Sequence, residues 1–388
     1  MEKNTSQAFA KNGQSHARQL IAGFVFSMLP LVCVCQDFNT YKQELREQWV
    51  DSVRNVLHDS FTQQQITIDG STMRLHWDIF GDCPDDGRSL YISLHGGGGG
   101  PAEMNDSQWK NQWRLYRPTE GVYICPRPPF NTWDLHFRPE SDRYYEELIH
   151  MMVAFLNVNP DKVYIMGYSA GGDGIWRLAP RLADHWAGAS MMAGHPGDVS
   201  LLNLRNVPFM VWCGSEDKAY ERNKRCIERI AELDSLQKSD PDGYIHEGHI
   251  IAGKGHWMDR VDTMAVEWMS RNRRIPYPGK IIWRQEEVTH THFYYLSCPS
   301  DEAVRGKELR IHHKGNEFHI DSCDYSTLRI GLTAEAVDFN KPISVYQNGK
   351  RIYHKKVKPS MDAMRHSLYE RQDFSYIFLA ELEVKIMK

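Results

Sequence analysis

Between residues 163 and 182 the chain passes from four apolar residues, Val163-Tyr164-Ile165-Met166, through Gly167-Tyr168-Ser169-Ala170-Gly171-Gly172 into a segment with apolar positions Ile175, Trp176, Leu178, Ala179 and Leu182. Few local patterns restrict a fold more. The apolar run reads as a short buried strand and the later segment as a helix, so Ser169 falls on the sharp turn between them. Small residues two before and two after the serine let the backbone fold tightly without a Cβ clash. The helix that follows aims its first N–H groups and its positive dipole end at the same spot. A serine lifted clear of a sheet edge in this way is a candidate nucleophile.

Other stretches fall into register around that one. Leu90–Leu94 is a second continuous apolar run, as a strand buried on both faces requires. It ends in His95-Gly96-Gly97-Gly98-Gly99-Gly100-Pro101. Five consecutive glycines cost backbone entropy, which calls for a reason. Here they can turn backbone N–H groups towards a developing negative charge with no side chain in the way. Gly97 and Gly98, with Ala170 after the serine, are the candidate oxyanion donors.

Further strands are expected at Gly121–Pro126, Gly188–Met192, Pro208–Cys213 and Ile245–Ala252, and helices at Asp142–Leu156, Asn223–Leu236 and Val261–Ser270. This alternation from about 90 to 272 predicts an α/β fold, a mostly parallel sheet with helices on both faces. Ligands of such sheets lie at the carboxyl ends of the strands. The glycine run, Ser169, Asp217 and His256 all follow a strand directly, so distant residues can meet at one edge. Asn105–Trp113 is polar and aromatic without a clean period. The loop Arg127–Phe137 carries Trp133 and His136, read either as a substrate wall or as aromatics covering the sheet. His95, Tyr168, His195 and Trp257 are the other candidate lining residues.

Outside the core the pattern changes. Residues 1–35 combine a polar, basic lead with the uncharged run 20–35, and fit a secretory signal cut before Gln36 or an uncleaved anchor. Residues 36–88 add an N-terminal helix and two leading strands, followed by the core at 89–274 and a linker at 275–279. From 280 to 388 short alternating strands predict a small all-β domain, with Asn348-Gly349 as its strongest hairpin signal. His290, His292, His312, His313 and His319 lie there at strand spacing, without a carboxylate pattern that would mark a metal site. The net charge of −4 and the lack of a basic stripe argue against a nucleic-acid partner. Export would permit disulfides among Cys83, Cys125, Cys213, Cys226, Cys298 and Cys323, with Cys298–Cys323 the pairing to examine.

A serine hydroxyl needs a base to take its proton, and the base needs an acid to fix its tautomer. The chain order Ser169, Asp217, His256 supplies all three. Glu216 competes with Asp217, and His246 and His249 with His256. His195 precedes the acid and is a lining residue only. No cofactor or metal is called for.

The runs His95-Gly-Gly-Gly-Gly, Gly167-Tyr-Ser-Ala-Gly-Gly, Gly214-Ser-Glu-Asp217 and Gly255-His256-Trp resemble those of the α/β-hydrolase superfamily over residues 90–272. The nearest flavour is exported bacterial esterases similar to poly(3-hydroxybutyrate) depolymerases, feruloyl esterases and dienelactone hydrolases, the last of which use cysteine where this chain has Ser169. The resemblance implies a hydrolase acting on small-molecule or polymer-linked esters through these three residues. Competing readings are a serine peptidase of prolyl-oligopeptidase type, and a glycan- or surface-binding protein with a vestigial triad. No blade-like repeat precedes the core, and the triad residues are all present.

Overall fold

Continuous apolar runs pair with one another before anything else, because a strand buried on both faces has no other stable place. The computed structural model describes residues 37–387, so the expected leader at 1–35 lies outside the described residues. An eight-stranded sheet comprises β1 (Gln65–Ile68), β2 (Ser71–Phe80), β3 (Arg88–Leu94), β4 (Gly121–Arg127), β5 (Val158–Tyr168), β6 (Gly188–Met192), β7 (Phe209–Gly214) and β8 (His246–Ile251). Its order is β1-β2-β4-β3-β5-β6-β7-β8. Strands β3 to β8 run parallel, while β2 meets β1 and β4 antiparallel. The central strands β4, β6 and β7 are buried along their whole length.

Alternation along the strands separates two apolar layers. Leu90, Ile92, Val163 and Ile165 point to one face, where α1 (Phe38–Val56), α4 (Ser141–Leu156), α5 (Ala170–Arg181) and α6 (Arg222–Ser239) pack. A short helix, α2 (His58–Thr62), leads from α1 into β1. Tyr91, Tyr164 and Met166 point to the other face, against α3 (Ala102–Gln112) and α7 (Met264–Ser270). Helix α3 covers the stretch that showed no clean period. Its buried positions are Asn105, Trp109 and Gln112, a helical stripe that is mostly polar. Each of these finds a hydrogen-bond partner, such as Cys125 O for Trp109 Nε1 at 2.8 Å and Ser93 Oγ for Gln112 Nε2 at 2.8 Å. Among the described residues no helix is long and apolar enough to cross a membrane.

Beyond residue 279 the expected strands form two more sheets. One holds β9 (Lys280–Arg284), β12 (Glu308–Lys314), β13 (Glu317–Cys323), β15 (Ile343–Gln347) and β16 (Lys350–Lys355). The other holds β10 (His292–Phe293), β11 (Leu296–Ser297), β14 (Thr327–Leu332) and β17 (Ala380–Lys385). The hairpin between β15 and β16 turns at Asn348 and Gly349, whose φ values are 50° and 73°, as the Asn-Gly pair requires. A helix the alternation did not suggest, α8 (Met361–Arg371), starts with Ser360 Oγ accepting from Ala363 N. Cys298 and Cys323 are free thiols rather than a bridge, and Cys323 Sγ turns to the Tyr325 carbonyl at 3.8 Å.

These sheets share a continuous apolar cluster with the eight-stranded sheet, through Ile281, Trp283, Tyr294 and Leu309. Tyr277, in the segment 275–279, stacks on Tyr295 at 3.9 Å and donates to Gly331 O at 2.6 Å, so the segment is anchored. Buried charges cross the same seam. Arg274, 2% exposed, holds Asp161 and Asp373 at 2.7 Å each and donates to Asp184 O. Arg371 pairs with Asp184 at 2.8 Å, both nearly buried. Burial opposes ionisation of Asp184, yet His185 and Arg371 outweigh it and hold the carboxyl well below its ordinary range. Replacing Arg274 by Ala strands two carboxylates at this seam. The expected loss is about 3–5 kcal/mol, read as a lowered urea midpoint, and an unchanged midpoint would show that the network is dispensable.

Candidate active site

Ser169 ends β5 and begins α5 at φ 58° and ψ −118°, a strained turn that leaves its side chain at the sheet's carboxyl edge. The flanking glycines have a steric reason. A Cβ on Gly167 would lie 2.5 Å from Gly171 O, and one on Gly171 would run into the Leu94 carbonyl. Gly172 is pressed likewise against Met192 O, at 2.5 Å from a built Cβ. Only glycine lets the start of α5 sit this close to the ends of β3 and β6.

His256 arrives on the loop after β8. Its Nε2 lies 2.9 Å from Ser169 Oγ, and its Nδ1 lies 2.7 Å from Asp217 Oδ2. The Asp217 side chain is 2% exposed, on the turn after β7. Its other oxygen takes a bond from Arg222 at 3.3 Å, and its backbone carbonyl accepts from Asn223 N at 3.0 Å. Glu216 instead points to solvent and pairs with Lys218 at 2.7 Å. His246 and His249 bond to Asp234 and Glu247, both at 3.1 Å. The loops that carry Asp217 and His256 meet where a Cβ on Gly214 would strike the Gly255 carbonyl.

Tyr168 differs from its expected place among lining residues. It is 8% exposed, and its hydroxyl donates to His256 O at 2.5 Å while accepting from Met258 N at 3.3 Å. Burial raises this phenol's pKa, so it stays protonated and keeps donating. It therefore ties the histidine loop to the strand that carries the serine.

The glycine run lies beside the serine, with Gly96 positioned so that a Cβ there would be 3.3 Å from Ser169 Cβ. Gly97 and Gly98 have φ values of 113° and 114°, open to glycine alone. Gly98 is a correction. Its N–H donates to Asn105 Oδ1 at 2.8 Å, and its carbonyl accepts from Asn105 Nδ2 at 3.0 Å, so both polar atoms of Gly98 are held by α3 and its N–H is not offered to a ligand. Ala170 opens α5, where an N–H has no intrahelical acceptor.

His95 and His136 are also corrections. Both are fully buried, because their rings sit under the glycine run instead of facing the cleft. His95 Nδ1 donates to Gly96 O at 2.6 Å and His136 Nε2 to His95 O at 2.8 Å. Burial lowers the pKa of both, His95 to about 3, which keeps them neutral braces for the loop. Trp133, 64% exposed, and Trp257, 48% exposed, do stand at the rim. Trp257 leans on Tyr168 at 5.8 Å, and Trp133 packs beside Gly98. His195 is half-buried, its ring accepting from Gly197 N at 3.0 Å and its own N–H donating to Asp173 at 2.6 Å.

Of the β-region histidines, His312 and His319 stack at 5.0 Å, and the others lie apart with separate partners. His290 bonds Asp142, His292 bonds Glu370 and His312 bonds Asp321, at 3.1, 3.3 and 3.1 Å. Among the described residues one group, His366, Glu370 and Glu381, is close enough to share a cation, and there Arg329 already faces both carboxylates. Asn105, Arg222 and Tyr220 (77% exposed, three residues after the acid) were not site candidates in the sequence. The one available signal was an Asn-x-x-x-Trp-x-x-Gln stripe at helical spacing, which carries no apolar period.

No family model matches the chain. It is similar to a protein named "Putative esterase NocK" from Nocardia uniformis subsp. tsuyamanensis, 29% identical over 153 residues, or 36% of this chain. That match spans 43% of the relative's length, less than half. A solved thermostable esterase is 18% identical, covering 54% of this chain and 62% of its own, with a TM-score of 0.41. An acetyl xylan esterase from Aspergillus awamori is 14% identical, covering 53% of this chain and 96% of its own, with a TM-score of 0.38. With strand order β1-β2-β4-β3-β5-β6-β7-β8 and the serine turn between β5 and α5, the chain has the α/β-hydrolase fold.

Proposed function

We propose that the protein is a serine hydrolase of carboxylic esters. The observation that carries this reading is the line from Ser169 Oγ to His256 Nε2 (2.9 Å) and from His256 Nδ1 to Asp217 (2.7 Å). A neutral His256 donating to Asp217 presents a bare Nε2 to the serine hydroxyl, which is the arrangement of a general base. His256 takes the Ser169 proton as the oxygen attacks the ester carbonyl. The oxyanion is met by the N–H groups of Gly97 and Ala170, each worth about 3 kcal/mol in the transition state. His256 then protonates the leaving alkoxide, and water releases the acyl group by the reverse steps. None of these steps calls for a metal or cofactor.

Trp133, beside Gly98, and Trp257, beside Tyr168, give the mouth an aromatic rim on the oxyanion and base sides. Such a rim suits an ester with a flat apolar group, free or borne on a polymer. The likeness to a protein named as an esterase agrees with ester hydrolysis. We assign residues 280–387 a covering role on the core, and residues 1–35 a role in export.

Two measurements test the reading. Wild type should take up a fluorophosphonate probe and hydrolyse short p-nitrophenyl esters, and Ser169→Ala should lose both. A folded wild type that takes no label sinks it. Tyr168→Phe should fold, yet lower kcat about tenfold, because the His256 loop loses its tie to β5 while both hydrogen bonds of the hydroxyl, each of roughly 1 kcal/mol, are removed. A wild-type kcat in Tyr168→Phe would remove Tyr168 from the machinery.

A further inference from the structure

The glycine run is held from behind. Asn105, fully buried on α3, bonds both polar atoms of Gly98, the N–H at 2.8 Å and the C=O at 3.0 Å. Its amide nitrogen also donates to Asn131 Oδ1 at 3.0 Å. Asn131 takes a second bond from Arg127 Nη2 at 2.5 Å, and its carbonyl accepts from Gly100 N at 3.4 Å. Arg127, 3% exposed, holds the next loop through Pro128 O and Phe130 O and pairs with Asp106 at 2.9 Å. Burial pushes the Asp106 carboxyl up, but its bonds from Arg74 and Arg127 prevail and hold it below its ordinary range. Adjacent residues of one helix, Asn105 and Asp106, thus anchor both loops on the oxyanion side.

A glycine run can adopt many conformations, so something must select one. Asn105 is placed to do so. A Cβ on Gly97 would collide with Asn105 Oδ1, which means that the amide sits directly against the residue whose N–H faces the proposed oxyanion. The two bonds hold the peptide planes on either side of Gly98, and the close approach of Asn105 Oδ1 to the Gly97 Cα restricts how the preceding plane, which carries the Gly97 N–H, can turn. We infer that Asn105 is a positioning residue, which presets the Gly97 N–H for the transition state without touching substrate. The inference rests on the hydrolase reading above.

Donors aimed at the transition state change kcat and leave ground-state binding alone. Asn105→Ala should therefore lower kcat for a p-nitrophenyl ester about 10- to 100-fold, with KM within about threefold. The rate of fluorophosphonate labelling should fall in step. Asn131→Ala keeps both bonds to Gly98 and should cost less. Trp109→Phe, which removes a buried hydrogen bond from the same helix away from the loop, is the control for general loosening of α3. Thermal midpoints are measured for all variants. A wild-type kcat in Asn105→Ala overturns the inference, as does a loss matched by Trp109→Phe at equal midpoint. An Asn105→Ala variant that rises in KM alone also overturns it. Ser169→Ala with undiminished turnover would instead overturn the hydrolase reading, and this one with it.

Discussion

One backbone approach carries the architecture of this site, that of Gly171 against the Leu94 carbonyl. Helix α5 can begin there only because a hydrogen stands where every other residue has a Cβ. The contact brings the end of β3 to the start of α5, and the glycine run begins two residues after that end, at Gly96. Gly96 therefore lies against Ser169, beside the first turn of α5. The positive φ of Ser169 is the conformational cost of the same geometry, held by packing that leaves the turn no alternative.

A second constraint acts between sheets. Arg274, Asp161, Asp373, Arg371 and Asp184 are largely hidden from water, and each depends on partners from the other side of the seam. Ion pairs of this kind add little over well-packed apolar groups, but displacing one leaves a buried charge alone. The seam therefore tolerates one docking geometry and penalises others. Apolar packing beneath it, from Trp283 and Tyr294, is far less selective about angle.

Much of this was legible in the residues. Apolar runs located the strands β3 to β7, because a strand buried on both faces has few other compositions. The glycine spacing located the serine turn, because the steric demand there is absolute. What escaped was polar. Helix α3 buries Asn, Trp and Gln rather than an apolar stripe, so periodicity was silent. Gly98 could not be told from Gly97, since the partner that claims its N–H lies on that unrecognised helix. His95 and His136 looked like site residues for the same reason. A neutral buried imidazole that braces a backbone carries the same letter as one that faces a ligand. Tyr168 was seen, but the use of its hydroxyl was not, because the acceptor lies 88 residues away.

Tyr168 and Ser169 are consecutive, yet they meet the same histidine at opposite ends, one at its backbone carbonyl and one at its ring. The spacing between serine and imidazole is thus set within two residues of one strand end, not across a long loop. Breathing of the sheet would carry the pair as one body. Asp217 instead reaches in from the next strand but one, and is held there by Arg222 on its second oxygen.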